Sequence, residues 1–224
     1  QSPDGTIWIG TATVNVYALR PGKKEFEAMK LFEGFTFVPG LAMMDNRRLM
    51  VTGFYQPIKH IDIENLATGT ADIAEEDLKA CIRRSVFVPT ALYKDTYGIL
   101  WIGTISNGLM CYHPETGRMT PMPGTSCLDI SGIEEDLQGN LWISTQYGLS
   151  KYDRTAGRFT NYYAADGIGG NQFYDRASCR LPDGTLVFGG THGLTFFNPI
   201  DVPIKRNIPL LFSDLKIHNR LIRP

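Results

Sequence analysis

The sequence predicts an all-β fold, a β-propeller represented by about five four-stranded blades. Three observations predict it: one turn-and-strand unit recurs five times, its copies are spaced as blades are, and short strands alternate with Gly and Asp turns. Asp4–Thr11, Tyr97–Thr104 and Gln138–Thr145 are close copies of one another. Asn46–Gly53 and Asp183–Gly190 are weaker copies of the same unit. Internal repeats of this length are typical of propellers and solenoids.

The interval between copies agrees with a four-stranded blade. The equivalent position in the five copies is occupied by Trp8, Met50, Trp101, Trp142 and Val187. The intervals are 42, 51, 41 and 45 residues, against about 40 to 50 for a propeller blade. A helical repeat can have the same period. Short β-branched and aromatic runs without a sustained 3.6-residue periodicity exclude that alternative.

The fourth copy gives the order of strands within a blade. Residues 132–136 form strand A, and the Gly139 turn leads into strand B at 141–145. Residues 148–153 and 158–162 then form strands C and D, an order that the third copy repeats at 108–113 and 118–120. Such antiparallel sheets have two faces to cover, and stacking blade on blade around an axis covers both.

A helical insertion is predicted near residues 72–84, within the longest interval. Asp72 and Glu75 have the spacing of a capping box, and the acidic residues precede the basic ones. These signals predict a short helix on the surface of the propeller.

The repeat defines the domain boundaries. Residues 1–200 are assigned to the propeller, and residues 201–224 to a linker and the first strand of a further domain, at 210–218. The sequence begins at the turn between strands A and B of the first copy, so strand A of that blade is absent. Because fewer than five complete blades hardly close a wide ring, we expect the natural protein to continue upstream.

Composition excludes several classes of protein. With 22 basic and 23 acidic residues, the net charge of −1 argues against direct contact with nucleic acid. No apolar run reaches the length of a membrane span. The four cysteines lack the spacing of metal ligands, which favours buried free thiols on strands for Cys111 and Cys179, although one or two disulfides remain possible. No cofactor and no metal are predicted. The four cysteines are Cys81, Cys111, Cys127 and Cys179.

The repeat resembles a known family. The unit Asp-x-x-Gly-x-Leu-Trp-Ile-Gly-Thr followed by Gly-Leu-x-x-Tyr-Asp, best seen at 138–153, resembles the two-component regulator propeller repeat. Residues 183–199 look like the last blade of that family, and residues 208–221 are similar to the opening of the Ig-like Y_Y_Y domain that follows it. The second copy, without its Trp and Gly turn, departs from the pattern.

The resemblance implies the organisation of a longer protein. In that family, two seven-bladed propellers in the periplasm precede the Ig-like domain, one membrane helix, a histidine kinase, a receiver and a DNA-binding regulator. This chain corresponds to the later blades of the second propeller. The resemblance further implies that it senses oligosaccharides released from glycans, controls polysaccharide utilisation genes, contacts other domains of its own chain and forms a homodimer. The membrane would be reached through a downstream helix.

Candidate ligand-binding residues lie in the non-repeating loops, because a scaffold fixes its core and varies its connections. Loops B-to-C and D-to-A emerge on one face of a propeller. Of these, residues 167–176 form the stretch richest in polar and aromatic residues. Amide, guanidinium and phenol groups suit the hydroxyls, acidic groups and faces of sugars. The candidates are Tyr147, Asn171, Gln172, Tyr174, Arg176 and His192. Further residues on the same face are Asn15, Tyr55, Gln56, Asn107 and Gln146.

Structural roles compete with these interpretations. The recurring tryptophans are better explained as wedges between blades than as sugar platforms, and the Asp and Gly turns as hairpin turns. Residues 167–176 alternatively cap the last blade or contact a neighbouring domain. The histidines fall in separate elements without ligand spacing: His60, His113, His192 and His218.

Three functions follow from these observations. The preferred one is a noncatalytic sensor of glycan-derived oligosaccharides. The second is a propeller glycoside hydrolase or polysaccharide lyase, for which Glu134, Glu135 and Asp175 are the available carboxylates. The third is a noncatalytic scaffold that dimerises or docks a partner.

Overall fold

The computed structural model describes residues 1–34, 36–82 and 86–203, and the backbone of two strands at 215–217 and 220–222. Five antiparallel sheets follow one another along the described part of the chain, and each corresponds to one copy of the repeat. The predicted all-β propeller architecture is confirmed. Within the described residues, no helix is long and apolar enough to cross a membrane.

The strands of each blade pair in chain order, from the inner strand A to the outer strand D. Blade 1 contains β1 (Ile7–Gly10), β2 (Asn15–Leu19) and β3 (Glu27–Lys30). Blade 2 contains β4 (Gly40–Met43), β5 (Arg48–Thr52), β6 (Lys59–Asp62) and β7 (Thr68–Thr70). Blade 3 contains β8 (Pro89–Lys94), β9 (Leu100–Thr104), β10 (Leu109–His113) and β11 (Arg118–Met122). Blade 4 contains β12 (Ile130–Glu135), β13 (Leu141–Thr145), β14 (Gly148–Asp153) and β15 (Arg158–Tyr162). Blade 5 contains β16 (Phe173–Arg180), β17 (Leu186–Gly190) and β18 (Gly193–Phe197).

The core consists of four apolar clusters, one between each pair of successive blades. Between blades 3 and 4, for example, Trp101 packs against Ile133 and Ile143, and its ring lies 5.8 Å from that of Tyr152. Trp142 in turn meets Phe197 of blade 5 at 4.7 Å between ring centroids. The prediction that the tryptophans are wedges between blades agrees with this packing.

Each buried tryptophan also has a polar partner six residues earlier. The Trp101 indole donates its Nε1–H to Asp95 Oδ2 at 2.7 Å, and Trp142 donates to Asp136 Oδ2 at 2.9 Å. The other carboxylate oxygen of each aspartate accepts two backbone N–H groups of the A-to-B turn. One carboxylate therefore closes the turn and anchors the wedge.

In the other blades, the residue six positions before the tryptophan column is not an aspartate. In blade 1, Trp8 is half buried and donates to the Ser2 hydroxyl at 2.9 Å. Where the tryptophan is replaced by Met50 or Val187, the residue six positions earlier is Met44 or Leu181. The partner is thus polar where an indole N–H must be satisfied and apolar elsewhere.

Glycine in the A-to-B turns serves the neighbouring blade as well as the turn. Gly139 has φ +81 and Gly184 has φ +89, both in the left-handed region. A Cβ on Gly184 would lie 2.6 Å from Cδ1 of Leu137, a residue of the preceding blade's turn. The absence of a side chain therefore lets successive turns pack directly on one another.

An arginine joins blades 3 and 4 at the level of these turns. Arg154 Nη2 lies 2.7 Å from Asp95 Oδ2 and 3.8 Å from Glu135 Oε1, and both carboxylates are buried. Its guanidinium also lies over the Tyr97 ring, 4.4 Å from the centroid. The cation thus balances carboxylates that come from two different blades.

The insertion contains a helix, α1 (Glu75–Cys81), but the predicted capping box is wrong. The N-cap is Ala74, and no side-chain hydrogen bond caps the helix. The helix is held instead by buried Asp77, whose Oδ2 accepts the backbone N–H of Met119 and forms an ion pair with Arg118 Nε, each at 3.0 Å. It therefore packs on the outer strand of blade 3 rather than standing free on the surface.

Blades 2 to 4 have four strands, as predicted, whereas the first and last sheets have three strands within the described residues. Blade 1 has the strand positions B, C and D, as the sequence predicts. Blade 5 stops after strand C because Asn198 begins a 3-10 helix at Pro199–Asp201, with its side chain accepting the Ile200 N–H.

The downstream segment is described in part. β19 (Leu215–Ile217) pairs antiparallel with β20 (Arg220–Ile222). The rest of the strand predicted at 210–218, His218 included, lies outside the described residues. The Ig-like domain and the boundary at residue 200 stay predictions.

Cys111 and Cys179 test the prediction of buried thiols on strands. Cys111 is buried on β10, where burial raises the pKa of its thiol, and Thr120 Oγ1 lies 2.9 Å from its Sγ. Cys179 is exposed, so the prediction that it is buried is wrong. It lies on β16, and the described residues place no blade beyond that sheet. Cys111, Cys127 and Cys179 are free thiols in this structure.

Candidate ligand-binding face

Four of the six predicted site residues come together where blades 4 and 5 meet. The loop before β16 is fixed on both sides: the Gly148 N–H donates to the Asn171 carbonyl at 2.6 Å, and the Thr191 N–H donates to the Gln172 carbonyl at 3.1 Å. The B-to-C turns of the two blades carry Tyr147 and His192. These backbone bonds place the two turns on either side of Asn171 and Gln172.

An amide pair occupies the centre of this group. Gln172 Nε2 donates to Gln146 Oε1 at 3.1 Å. The Gln146 amide in turn donates to the Phe173 carbonyl at 3.0 Å and to Ser131 Oγ at 3.1 Å. Gln146 is therefore held by the scaffold, whereas Gln172 is exposed at the surface.

Beside the amide pair lies a pair of tyrosines. The rings of Tyr147 and Tyr163 are tilted, with centroids 5.5 Å apart, and Tyr147 is 57% exposed. Sequence reasoning missed Tyr163. The pattern that could have identified Tyr163 is the alternation of side chains in an extended strand. Because Tyr162 is buried in the core, the side chain of the next residue must point away from the core.

Asn171 and His192 have local partners. The Asn171 side-chain oxygen accepts the Ala164 N–H at 2.7 Å and thereby shapes the loop from 164 to 171. His192 Nδ1 lies 2.9 Å from Thr191 Oγ1, and the imidazole is exposed beside the backbone of Gly170. Asn171 thus positions the loop, and His192 lines its edge.

Tyr174 and Arg176 lie in an unusually wide bulge of the inner strand. In blades 3 and 4 the bulge is one residue, Thr90 or Ser131. Each of these hydroxyls donates to a carbonyl of the next inner strand, at 2.5 and 3.1 Å. In blade 5 the ladder passes from Phe173↔Gly190 to Ser178↔Phe188. Residues 174–177 thus occupy the place of two residues in the other blades, 90–91 in blade 3 and 131–132 in blade 4.

The bulge exposes three consecutive polar or aromatic side chains, at 174–176. Arg176 has φ +60, a strained conformation for a residue with a side chain. Within the described residues, neither Tyr174 nor Arg176 makes a hydrogen bond or ring contact with the other four predicted residues. The six residues therefore form two adjacent groups, one on the loops and one on the bulge.

The remaining residues predicted for this face lie on blades 1 to 3. Asn15 begins β2, and Tyr55 is exposed with φ +61. Gln56 Nε2 donates to the Glu33 carbonyl at 3.3 Å, and Asn107 Nδ2 to the Val86 carbonyl at 2.9 Å. These contacts stabilise their own loops and bring none of the four to the group on blades 4 and 5.

The carboxylates considered for catalysis diverge. Glu135 accepts from the backbone N–H and the hydroxyl of Thr96 in blade 3, at 3.0 and 2.8 Å. Glu134 accepts from Ser178 Oγ in blade 5 at 2.8 Å, and burial raises the pKa of its carboxyl. Asp175 is exposed on the bulge. Glu134 and Glu135 point to opposite blades and therefore do not form the facing pair that a retaining glycosidase needs.

In the part of the chain that the structure describes, no arrangement of side chains supports a metal site. No three His, Cys, Asp or Glu side chains there are grouped in a way that could hold an ion. His60 lies on β6 and His113 on β10, apart from His192.

Comparison with protein families gives a match in blade 3. The family described as "Two component regulator propeller" matches residues 84–106, which include strands A and B and the turn with Trp101. This chain carries the two component regulator propeller repeat. The resemblance drawn from the repeats is thereby confirmed.

A curated relative agrees with the match. "Histidine kinase P4" of Formosa agariphila is 28% identical over 122 residues, which are 53% of this chain and 9% of that protein. The chain therefore spans about a tenth of the curated relative.

Solved structures share the fold. The extracellular domain of the putative hybrid two component system BT3049 from B. thetaiotaomicron has a TM-score of 0.73 at 20% identity, over 100% of this chain and 32% of that one. The extracellular domain of BT4673 from the same organism has a TM-score of 0.68 at 15% identity, over 88% of this chain and 26% of that one. This chain thus spans about a third or less of these solved domains.

Proposed function

We propose that this chain is part of the ligand-sensing region of a hybrid two-component sensor histidine kinase, located in the periplasm. Two extracellular domains of such systems share its fold, and its family match and its histidine kinase relative are of the same kind. The propeller itself is noncatalytic in this proposal. Other domains of the same polypeptide, a second copy of the receptor and a downstream membrane helix complete the receptor, and this fragment contacts no nucleic acid.

The ligand in this proposal is a glycan-derived oligosaccharide that binds where blades 4 and 5 meet. The observation that carries it is an insertion of two residues in an otherwise repeated inner strand, which places Tyr174–Ala177 where blades 3 and 4 have two residues. The insertion presents an aromatic ring and a guanidinium next to the Tyr147–Tyr163 pair and the Gln172 amide. Aromatic faces and planar hydrogen-bonding groups are what sugar rings and their hydroxyl or acidic groups require.

Signalling requires more than tight binding. A ligand shifts an equilibrium by its difference in affinity for the two states. The loop at Asn171–Gln172 is suited to transmit such a shift, because its backbone is hydrogen-bonded to both blade 4 and blade 5. A ligand that binds these loops is expected to change how the two blades are held against each other.

The test is a thermal-shift screen of the ectodomain against defined oligosaccharides, with product analysis of each hit. At 100 times its Kd, a ligand stabilises the native state by about 2.7 kcal/mol. We expect one oligosaccharide to raise the Tm and to be recovered intact. Tyr147→Ala should abolish the shift, whereas Tyr55→Ala, an equally exposed tyrosine on blade 2, should leave it unchanged.

The other outcomes identify the competing functions. Cleavage of the oligosaccharide would favour the glycoside hydrolase or lyase. Concentration-dependent assembly without a response to any glycan would favour the scaffold.

A further inference from the structure

A cavity of about 340 Å³ lies between blades 2 and 3, among residues that the structure describes. Its lining includes Arg48, which follows the A-to-B turn of blade 2, and residues 114–117 of the C-to-D turn of blade 3. Tyr147 and His192 belong to B-to-C turns, at the other ends of the strands. The cavity is therefore separate from the candidate ligand-binding face.

The next pair of blades shows what the repeat places in the equivalent space. Between blades 3 and 4, the indole of Trp101 and the guanidinium of Arg154 both donate to Asp95 Oδ2, each at 2.7 Å. The guanidinium carbon lies 5.8 Å from the centroid of the Trp101 ring. A flat ring and a cation thus lie side by side in that interface.

Between blades 2 and 3, all three of these groups are replaced by smaller ones. Met44, Met50 and Pro114 stand at the positions of the aspartate, the tryptophan and the arginine, and all three line the cavity. Because protein interiors are normally close-packed, the cavity is the space that the ring and the cation would fill. Its volume is within the range of about 300–1,000 Å³ found for small-molecule sites.

The lining suits the same two kinds of chemical group. The thioethers of Met44 and Met50 can make favourable contacts with an aromatic ring. The carboxylates of Asp72 and Glu115 belong to exposed residues at the edge of the cavity. Burial, together with the charge of Asp72, raises the pKa of Tyr112, although Arg48 opposes the shift. The charge of Asp72 is therefore felt at the Tyr112 hydroxyl inside the cavity.

The basic residues of the lining are Arg48 and His60. Arg48 Nε already lies 2.8 Å from Asp45 Oδ2 in an ion pair. Among the described residues, neither Asp72 nor Glu115 forms an ion pair. The edge of the cavity thus has carboxylates available for a cation.

We propose that this cavity binds a small ligand that combines a flat aromatic ring with a positively charged amine, an arylalkylamine in chemical terms. The ring packs against Met44 and Met50, in the place that an indole has in the next interface. The ammonium group lies near Asp72 and Glu115. This second site does not rest on the proposed sensing of glycans.

Methyl NMR of the ectodomain of the parent protein, with isotopically labelled methionine methyls, tests the proposal. Tryptamine is the probe, and indoleacetate, which has the same ring and the opposite charge, is its control. We expect tryptamine to shift the signals of Met44 and Met50 saturably, because both line the cavity, and to leave that of Met29 on blade 1 unchanged. Indoleacetate should require a concentration at least about tenfold higher for the same shifts.

Two sets of variants locate the probe, with binding followed by saturation transfer to tryptamine. Met44→Asp combined with Met50→Trp rebuilds in blade 2 the pair that blade 3 already contains, fills the cavity and should abolish binding. Asp72→Asn combined with Glu115→Gln removes the charge and should weaken binding about threefold or more. Glu76→Gln, at an exposed residue of α1 outside the cavity lining, should leave binding unchanged.

The contrary results are equally definite. If tryptamine produces no saturable shift of Met44 and Met50, the cavity binds no such ligand. An equal response to tryptamine and indoleacetate would overturn the assignment of a cationic ligand. Undiminished binding to the filled variant would place the probe elsewhere. If that variant does not fold, undiminished binding to the Asp72→Asn, Glu115→Gln variant is the result that overturns the proposal.

Discussion

At the scale of single residues, the fold depends on polar groups whose partners lie at fixed positions in the repeat. The indole of Trp142 donates to a buried carboxylate, whereas that of Trp8 donates to a serine hydroxyl. Hydrogen bonds to charged groups contribute about 1.5–3 kcal/mol and neutral ones about 0.5–1.5 kcal/mol. The same substitution at the two tryptophans should therefore cost different amounts.

We predict that Trp142→Phe lowers the free energy of unfolding by at least about 1.5 kcal/mol, through the lost hydrogen bond to Asp136. Trp8→Phe should cost less, since Ser2 is uncharged. Urea denaturation of both variants measures the difference. Equal losses would mean that ring packing alone sets the cost.

A second prediction concerns the arginine between blades 3 and 4. Arg154→Met leaves buried Asp95 and Glu135 without their cation, which should cost about 3–5 kcal/mol. Arg47→Met is the matched control, because Arg47 pairs with Asp62 and Glu64 on the surface, where ion pairs contribute about 1 kcal/mol or less. Denaturation curves of the two variants that coincide would contradict the proposed role of Arg154.

At the scale of elements, each inner strand joins its neighbours through side chains that alternate between two blades. β12 does so with Glu135 toward blade 3 and Glu134 toward blade 5. Burial raises the pKa of Glu134, although Ser178 and Arg180 oppose the shift. Burial, together with the charges of Glu135 and Glu134, raises the pKa of Tyr93 to about 12.

The raised pKa of Glu134 predicts a pH dependence with a definite sign. The folded state binds this proton more tightly than the unfolded chain, so stability falls as the pH rises from the unfolded value of the carboxyl through the folded one. Glu134→Gln keeps an acceptor for Ser178 and removes the charge. We expect a higher Tm than wild type at pH 8 and a difference that shrinks toward pH 4.5. A Tm difference that does not vary with pH would refute this account.

The wide bulge of β16 can be removed without removing the strand. Deletion of residues 174–175 leaves two residues between Phe173 and Ser178, the arrangement found at Ser131 and Gly132 between Ile130 and Ile133 in blade 4. We predict that the deletion variant keeps its circular dichroism spectrum and loses its response to the oligosaccharide. Circular dichroism and thermal shift measure the two properties, and a retained response would place the ligand elsewhere.

At the scale of the whole molecule, stability resides in four clusters between successive blades. Each blade contacts its neighbours in sequence, as in repeat proteins with nearest-neighbour energetics. Within the described residues, blades 1 and 5 have three strands and one neighbour each, whereas blades 3 and 4 have four strands and two neighbours.

This arrangement predicts a gradient of hydrogen exchange in residues 1–224. Amides of β2 and β17 should exchange faster than those of β9 and β13, although all four strands are paired on both sides within their sheets. Mass spectrometry of peptic fragments measures it. Uniform exchange across the five blades would indicate a single cooperative unit.

The repeat made most of the fold predictable. Strands C and D of blade 4 begin and end at the predicted residues, because Gly148 and the turn at 154–157 define them locally. The anchor of α1 was not predictable, since Asp77 contacts a strand about 40 residues away in sequence. Exposure of Cys179 likewise depends on which sheets lie next to β16.

The candidate face was predictable in part for the same reason. Loop composition indicated Tyr147, Gln172 and His192, but the width of the bulge around Arg176 depends on strand register, which composition does not contain. Tyr163 required knowing which of two adjacent tyrosines enters the core.

The coupling between the tryptophan column and the residue six positions earlier restricts how a blade can diverge. Starting from Asp136 and Trp142, a change to an apolar residue at either position alone takes one donor from a buried carboxylate or leaves an indole N–H unsatisfied. The Met44–Met50 state of blade 2 therefore lies two substitutions away, across an unstable single mutant. The Ser2–Trp8 pair of blade 1 shows a stable intermediate between the Asp–Trp and Met–Met pairs, because a hydroxyl satisfies the indole N–H without burying a charge. A blade with serine six positions before its tryptophan is therefore the one in which that tryptophan is most easily replaced.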